Sequence, residues 1–292
     1  MIKLSNGFEF EFMAASGSLG WDGRGWWHPK YWPLRWILSR RPDLLVSVIK
    51  TLTFDPVEGQ PGAIYDGDDF VVNAGALWNP GFREWSRKYL PRIKTPVILS
   101  ITERSLTRVN TLAYEMAGIQ QRNQNIVGVE FNASCPNIEK IWTPRDVEKT
   151  CRLIRKRVNL PLGIKIGYQQ NYLAIAKRTE GMVEWLSFNA IPWELVFPGR
   201  ESPLLKRFKV KGAVSGAPIR WRNRKMASEI KRAGVKTPIV ASSVGWCKSF
   251  QEGYQDLLEA FKWAEAVAFG SLFRAHPSWP LKMIFKYRNE VK

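Results

Sequence analysis

The sequence predicts an α/β fold of one domain, a closed (β/α)8 TIM barrel. Three observations carry that prediction. Eight apolar runs follow one another at a steady interval through the 292 residues. Amphipathic stretches lie between them, and no linker, low-complexity segment or short internal repeat breaks the series. Strands alternating with helices point to a parallel sheet. Eight such units without a change in composition fit a closed barrel better than an open sheet. Residues 1–292 are therefore expected to form a single domain.

The strand-like runs are FEFMAAS (10–16), LLVSVIK (44–50), PVILSIT (96–102) and IVGVEFN (126–132) in the first half. The second half adds LGIKIG (162–167), VEWLSFNAI (183–191), TPIVASS (237–243) and EAVAFGS (265–271). They are rich in Val, Ile and Phe and mostly unalternated, as strands buried on both faces should be. Of the helix-like stretches, 142–158 opens with Thr143 as a cap and Pro144 in the first turn. Its Val147, Cys151, Ile154 and Val158 recur at helical spacing. The stretch 221–234 stops at Gly234, and 254–265 carries a Leu/Phe/Trp face.

Composition narrows the function classes. An apolar content of 45% and 14 Trp speak for a packed core and against disorder. No run approaches the roughly 18 apolar residues of a bilayer span, and the start MIKLSNGFEF lacks a signal-peptide core, so a cytoplasmic location is expected. The three cysteines, Cys135, Cys151 and Cys247, are odd in number and unpaired in spacing. They fit a reducing compartment and give neither a disulfide framework nor a zinc or iron–sulfur ligand set. The two histidines, His28 and His276, each adjoin a proline and sit in no ligand pattern. A histidine-based triad and a histidine-rich metal site are disfavoured.

The net charge is +18, and between Arg200 and Lys236 twelve Lys/Arg face only Glu201 and Glu229. A solvated basic face is the plain reading of segment 200–236. Nucleic acid, an anionic membrane surface or an acidic partner protein are the functional ones, and charge alone does not choose among them.

A barrel of this kind carries its chemistry at the C-terminal ends of its strands. The fourth run continues as NASCPN, placing Asn132, Cys135 and Asn137 at that end. A turn with a small buried cysteine is the plain alternative. However, Lys50, Lys165, Asn189, Ser242 and Ser243 fall at the same rim, which a random core would not arrange.

The motifs then resemble one family. EFNASCPN is similar to the active-site signature of the dihydroorotate dehydrogenases, flavin enzymes of pyrimidine synthesis built on a (β/α)8 barrel. MAASG (13–17) resembles their first flavin-contacting turn, IKTLTFDPVEGQPG (49–62) the lysine-bearing segment, and VVNAGALWNPG (71–81) the asparagine loop. GIKIG (163–167), SFNAI (187–191), GAVSGAPIR (212–220) and AVAFGSLF (266–273) complete a series that covers nearly the whole chain in register.

The resemblance implies oxidation of dihydroorotate to orotate with FMN as cofactor. Cys135 is then the base that takes the C5 proton, with Lys50 beside it as a second catalytic group. Asn73, Asn132, Asn137 and Asn189, with Lys50, match the substrate-holding residues. A planar ring with alternating N–H and C=O groups needs partners that both donate and accept, and a carboxamide does so without charge. Ala15, Ser16, Lys50, Thr51, Asn132, Lys165, Ser215, Gly216, Ser242, Ser243, Gly270 and Ser271 match the flavin contacts. A cysteine in place of serine and the lack of an N-terminal hydrophobic helix resemble the soluble class. The electron acceptor stays open between fumarate and a partner iron–sulfur/flavin subunit, and a homodimer is common in that class.

Three features depart from the family pattern. The Gly-Gly pair that usually follows strand seven and cradles the flavin phosphate is replaced by ASSVGWCKSFQEGYQD, where Ser242, Ser243 and Gly245 remain as donors. Ala190 stands where a hydroxyl residue commonly follows the asparagine. The stretch GSLGWDGRGWWHPKYWPLRW (17–36) matches nothing in the family and fits a lid, a subunit contact or an acceptor surface.

Two other readings stay open. One is a related flavin barrel acting on another pyrimidine, as a free base or a tRNA uridine. Uracil and thymine reductases tend to carry His where this chain has Asn137. The tRNA dihydrouridine synthases have GCP in place of SCPN and add a helical domain for which this chain is too short. The other is a barrel without flavin that serves as a binding protein for an acidic partner.

Overall fold

The computed structural model describes residues 1–134 and 142–291. Its centre is a ring of eight parallel strands: β1 Phe12–Ala14, β2 Val46–Val48, β3 Val97–Ile101, β4 Ile126–Asn132, β5 Leu162–Ile166, β6 Trp185–Phe188, β7 Val240–Ser242 and β8 Ala266–Phe269. Hydrogen bonding runs in the order β6-β5-β4-β3-β2-β1-β8-β7. The ring closes between β6 and β7, where the Leu186 N–H donates to the Pro238 carbonyl at 2.8 Å and Leu186 bridges Ile239 in parallel. All eight predicted strands are present, each buried along its whole length, and the single-domain (β/α)8 barrel is borne out.

Unalternated apolar runs suit these strands because both faces meet other side chains. Met13, Val46, Val48, Ile98, Trp185, Val240, Ala266 and Ala268 belong to the cluster inside the ring. The outer faces pack with the helices in a second, larger cluster. Inside, the Trp185 indole lies directly on Gly163, where an added Cβ would stand 1.9 Å from Cε2. A larger residue at 163 would have to displace the indole.

A hairpin of Ile2–Lys3 and Glu9–Phe10 precedes β1. Phe10 meets Trp185 edge-on at 6.3 Å, and the Asn6 side chain donates to the Val127 carbonyl at 3.1 Å. The hairpin plugs the N-terminal mouth and leaves the C-terminal mouth for a site.

One helix starts on the expected cap, Thr143, whereas the stretch expected at 254–265 begins four residues earlier on Ser249 and ends at Ala260. Thr143 accepts the Asp146 N–H at the start of Pro144–Arg157, and Ser249 accepts the Glu252 N–H at the start of Phe250–Ala260. The helix Arg220–Arg232 is followed by Gly234 at φ +82°, a left-handed position that suits glycine. No helix among the described residues is long and apolar enough to cross a membrane.

The structure adds a four-stranded antiparallel sheet, ordered Ile191–Pro192, Ala213–Gly216, Phe70–Asn73, Ile64–Asp66. Here the sequence reading needs correction. The predicted run 183–191 ends as a barrel strand at Phe188, and Ile191 pairs instead with Val214 of this sheet. The segments read as an asparagine loop (71–81) and a glycine turn (212–220) contribute their first residues, to Asn73 and Gly216, to its two central strands. Ala63, Val72, Ala74, Ile191, Trp193, Leu204, Val214 and Ile219 give it a separate apolar cluster.

Candidate active site at the barrel mouth

A cavity of about 720 Å³ opens at the C-terminal mouth, between the strand ends and the antiparallel sheet. That size suits a cofactor or a drug-sized ligand. Ala15, Ser16, Lys50, Thr51, Asn73, Asn132, Lys165, Asn189, Ser215, Ser242, Ser243, Gly270 and Ser271 all line it. Cys135 and Asn137 lie outside the described residues. Gly216 is not among the lining residues. Its φ of +116° and the Asp69 carbonyl, 2.5 Å from where a Cβ would stand, tie it to close strand approach.

Amides and hydroxyls form a connected network at one end. Asn132, at the tip of β4, donates through Nδ2 to Thr51 Oγ1 at 3.2 Å. Thr51 Oγ1 also lies 2.9 Å from Ser100 Oγ and 3.1 Å from Ser16 Oγ. Asn189, just past β6, donates to Asn132 Oδ1 and to the Ser134 carbonyl, both at 3.1 Å. Its own Oδ1 accepts the Ala190 N–H at 2.9 Å. A main-chain donor thus holds the amide at the position where the family pattern offers a hydroxyl. Asn73, on the neighbouring sheet, accepts the Gly75 N–H at 2.8 Å.

Two lysines border this network. Lys165 is the register partner of Asn132 across β5 and β4, and its residue is only 8% exposed. No carboxylate among the described residues pairs with it, although a buried lysine ordinarily has a partner. An electron-rich ligand edge in the cavity would meet that need. Lys50, at the end of β2, packs along Gly17, where a Cβ would stand 3.6 Å from Lys50 Cγ. Gly17 has a φ of +81°, so the turn and the close approach both favour glycine.

The other end gathers Ser215, Ser243, Gly270, Ser271 and Arg274. The loop after β7 is held from behind. Asn223 Nδ2 donates to the Ser242 carbonyl at 3.3 Å, and Arg220 donates to the Trp246 carbonyl at 2.9 Å. Arg220 Nε also pairs with Asp256 at 3.0 Å. Asp256 accepts the Gly245 N–H at 2.7 Å, so this glycine's donor, expected to face a phosphate, points to a carboxylate instead. Burial raises the Asp256 carboxyl above its usual range, with Arg220 opposing. Arg220 of the basic segment therefore serves the fold.

Residues that the sequence reading left unplaced complete the wall. Trp26, His28, Lys30 and Tyr31 of the stretch 17–36 line the cavity, with Trp78 and Arg274. The stretch is fixed by Arg35, which pairs with buried Asp22 at 2.7 Å and also donates to the Gly25 carbonyl. Trp26 Nε1 donates to the Gly17 carbonyl at 3.1 Å. Of its other tryptophans, Trp21 is buried in the core, whereas Trp27, Trp32 and Trp36 face solvent. Dense Trp was visible in the sequence, but no spacing distinguished wall from surface. As expected, Cys151 is buried in its helix, where burial pushes its thiol up to about 12.

No family model matches the chain. It is 25% identical over 292 residues to the dihydroorotate dehydrogenase B (NAD(+)) catalytic subunit of Thermoanaerobacter pseudethanolicus, covering 97% of this chain and 89% of that one. The protein of the same name from Carboxydothermus hydrogenoformans is 28% identical over 254 residues, 83% of this chain and 79% of that one. A putative dihydroorotate dehydrogenase A (fumarate) of Aeropyrum pernix is 28% identical over 177 residues, covering 56% and 52%. In fold, the chain is similar to the DHODH of Eimeria tenella solved with ferulenol. The TM-score is 0.68 at 13% identity, over 99% of this chain and 84% of that one.

Proposed function

The chain belongs to the dihydroorotate dehydrogenase family, and from that premise we propose that it oxidises dihydroorotate to orotate in pyrimidine synthesis, with FMN as cofactor. The observation that carries the reading is the joined network of Asn132, Asn189 and Thr51 beside buried Lys165 in one cavity. Curated relatives spanning most of the chain bear the name of this activity.

The residues present suit a flavin. Lys165 is a buried cation that faces the cavity without a carboxylate among the described residues. Lys50, Thr51, Ser16 and Asn132 add polar groups along one wall, and Ala15, Ala268 and Gly270 leave room near β1 and β8. When bound, FMN would supply the acceptor for the hydride removed from the substrate ring. Lys165 and Lys50 would stabilise negative charge growing on the ring beside them.

The asparagines bind and orient the substrate. Asn73, Asn132 and Asn189, joined by Asn137, offer neutral donors and acceptors to an alternating imide edge. The bonds of Asn73, Asn132 and Asn189 to Thr51, Ser134 and the Gly75 and Ala190 N–H groups hold these three before substrate arrives, which lowers the ordering cost of binding. Cys135 takes the proton from C5. A thiol with an ordinary pKa near 8.5 suits this once its surroundings lower it.

Electrons then pass onward. Coverage of 97% for a relative named as the catalytic subunit of an NAD(+) enzyme, against 56% for one named for fumarate, supports transfer through a partner subunit toward NAD(+). The odd, unpaired cysteines support a reducing, cytoplasmic setting.

The test is product formation. Purified protein supplied with FMN, dihydroorotate and an artificial electron acceptor should release orotate, measured by chromatography. Oxidation of dihydrouracil with none of dihydroorotate would move the reading to another pyrimidine.

A further inference from the structure

The two ends of the cavity are separated along the antiparallel sheet. Asn73 is in register with Ile64 and Ala213, whereas Asp66 and Ser215 are both in register with Val71. Two residues of strand, about 7 Å, lie between these positions. Arg274 belongs to the Asp66 end. It lines the cavity one turn beyond Gly270 and Ser271, and its guanidinium grips Asp66 through Nε at 2.5 Å and Nη2 at 2.8 Å. Lys30, another lining residue, donates to the Arg274 carbonyl at 3.1 Å. Arg274 is thus paired with one half-exposed carboxylate at the rim while Lys30 rests on its main chain, beside the serines at the ends of β7 and β8.

We propose that Arg274, with Lys30 beside it, seats the phosphate of the flavin, replacing by charge the cradle that a glycine pair would build from backbone N–H groups. This rests on reading the cavity as a flavin site. Two observations support the substitution of one device for another. The loop after β7 is pinned by Asn223, Arg220 and Asp256, and the Gly245 N–H is committed to Asp256, so this loop has lost a main-chain donor. At the facing end, positive charge exceeds negative. Burial and the neighbouring Arg274 charge together lower the pKa of Lys30, as expected where two cations crowd one place. A phosphate dianion would relieve that crowding. Asp66 takes the Nε/Nη2 edge of the guanidinium and holds it at the rim, and the Nη1/Nη2 edge keeps paired N–H groups that match phosphate oxygens. The hydroxyl of Ser271 makes no cap bond to its own helix, and Ser243 is held at φ +63°, so both serines stand beside the same space.

The test compares two flavins that differ only in the phosphate. Flavin-free protein is titrated with FMN and with riboflavin by fluorescence quenching, for the wild type, Arg274→Ala, Arg274→Lys and Lys30→Ala. The wild type should prefer FMN. Arg274→Ala should weaken FMN about 10–100-fold and shift riboflavin less than about twofold, the scale of a lost charge-assisted bidentate contact. Arg274→Lys should recover part of the loss, and Lys30→Ala should give a smaller one. Inorganic phosphate should compete with FMN in the wild type and fail to compete in Arg274→Ala. Equal effects of Arg274→Ala on both flavins, or none on FMN, overturn the assignment while leaving the flavin reading intact. Wild-type protein that binds neither flavin overturns both. Far-ultraviolet circular dichroism checks that each variant is folded.

Discussion

At one end of the cavity Asn132, Asn189 and Thr51 hold one another; at the other, Arg274 leans on the Asp66 carboxylate and Lys30 on the Arg274 carbonyl. The first end is built of neutral amides and hydroxyls bordered by Lys50 and Lys165, and its side chains are oriented by bonds to one another and to backbone at the strand ends. The second is charged, and its parts come from three loops and the rim of a separate sheet. On the function proposed above, the difference teaches that recognition of a planar ring and recognition of an anion would be solved independently in one cavity. Ring binding depends on positions fixed by the barrel itself. Anion binding needs only net positive charge and donors near the ends of β7 and β8, which different loops can supply.

The largest effect expected at the amide end is on chemistry. Cys135→Ala should slow reduction of bound flavin by dihydroorotate about 10²–10⁴-fold, the scale of a lost general base, and leave FMN affinity within about twofold. Stopped-flow absorbance under anaerobic conditions measures it, and an unchanged rate would remove Cys135 from the mechanism. Next comes Asn189→Ala, which removes the donor to Asn132 Oδ1 and the Ser134 carbonyl. Substrate affinity should fall about 10-fold or more, because Asn132 loses its orientation as well as its neighbour. Flavin content should not change. If Asn189→Ala weakened FMN as much as substrate, the two ends would not be independent.

A smaller effect tests the floor beneath the amide end. Gly163→Ala forces a methyl into Trp185 below Lys165 and should destabilise the fold by about 1–3 kcal/mol, read from urea denaturation. A variant as stable as the wild type would mean that the indole moves freely, and that the barrel does not fix the lysine from below. Smallest is the thiol contrast. Burial pushes Cys151 up to about 12, so at pH 8 its thiolate is scarce. Iodoacetamide should leave it unmodified in native protein while labelling Cys135, with mass spectrometry as the readout. The sign follows from the direction of the shift: reactivity at Cys151 grows only as pH rises toward that value.

Legibility in the sequence followed the same division. The barrel was readable because strands buried on both faces need unbroken apolar runs, and all eight appear as such. The amide end was readable because its residues sit at the ends of those runs and match a motif in register. The antiparallel sheet was missed, since strands of two to four residues among glycines and asparagines look like turns. Arg274 was missed because its partner Asp66 lies 208 residues away, and no local pattern announces such a pair. Gly216 was read as a cofactor contact, yet the Asp69 carbonyl beside it supplies a packing reason for glycine. Sequence alone does not separate those two demands on the same residue type.

The central claim is that this cavity holds a flavin which dihydroorotate reduces. The most direct measurement is an anaerobic absorbance titration of the FMN-loaded protein with dihydroorotate. The protein should be yellow, and its visible flavin band should bleach as substrate is added. A yellow protein that stays oxidised at saturating dihydroorotate, or one that takes up no FMN, would contradict it.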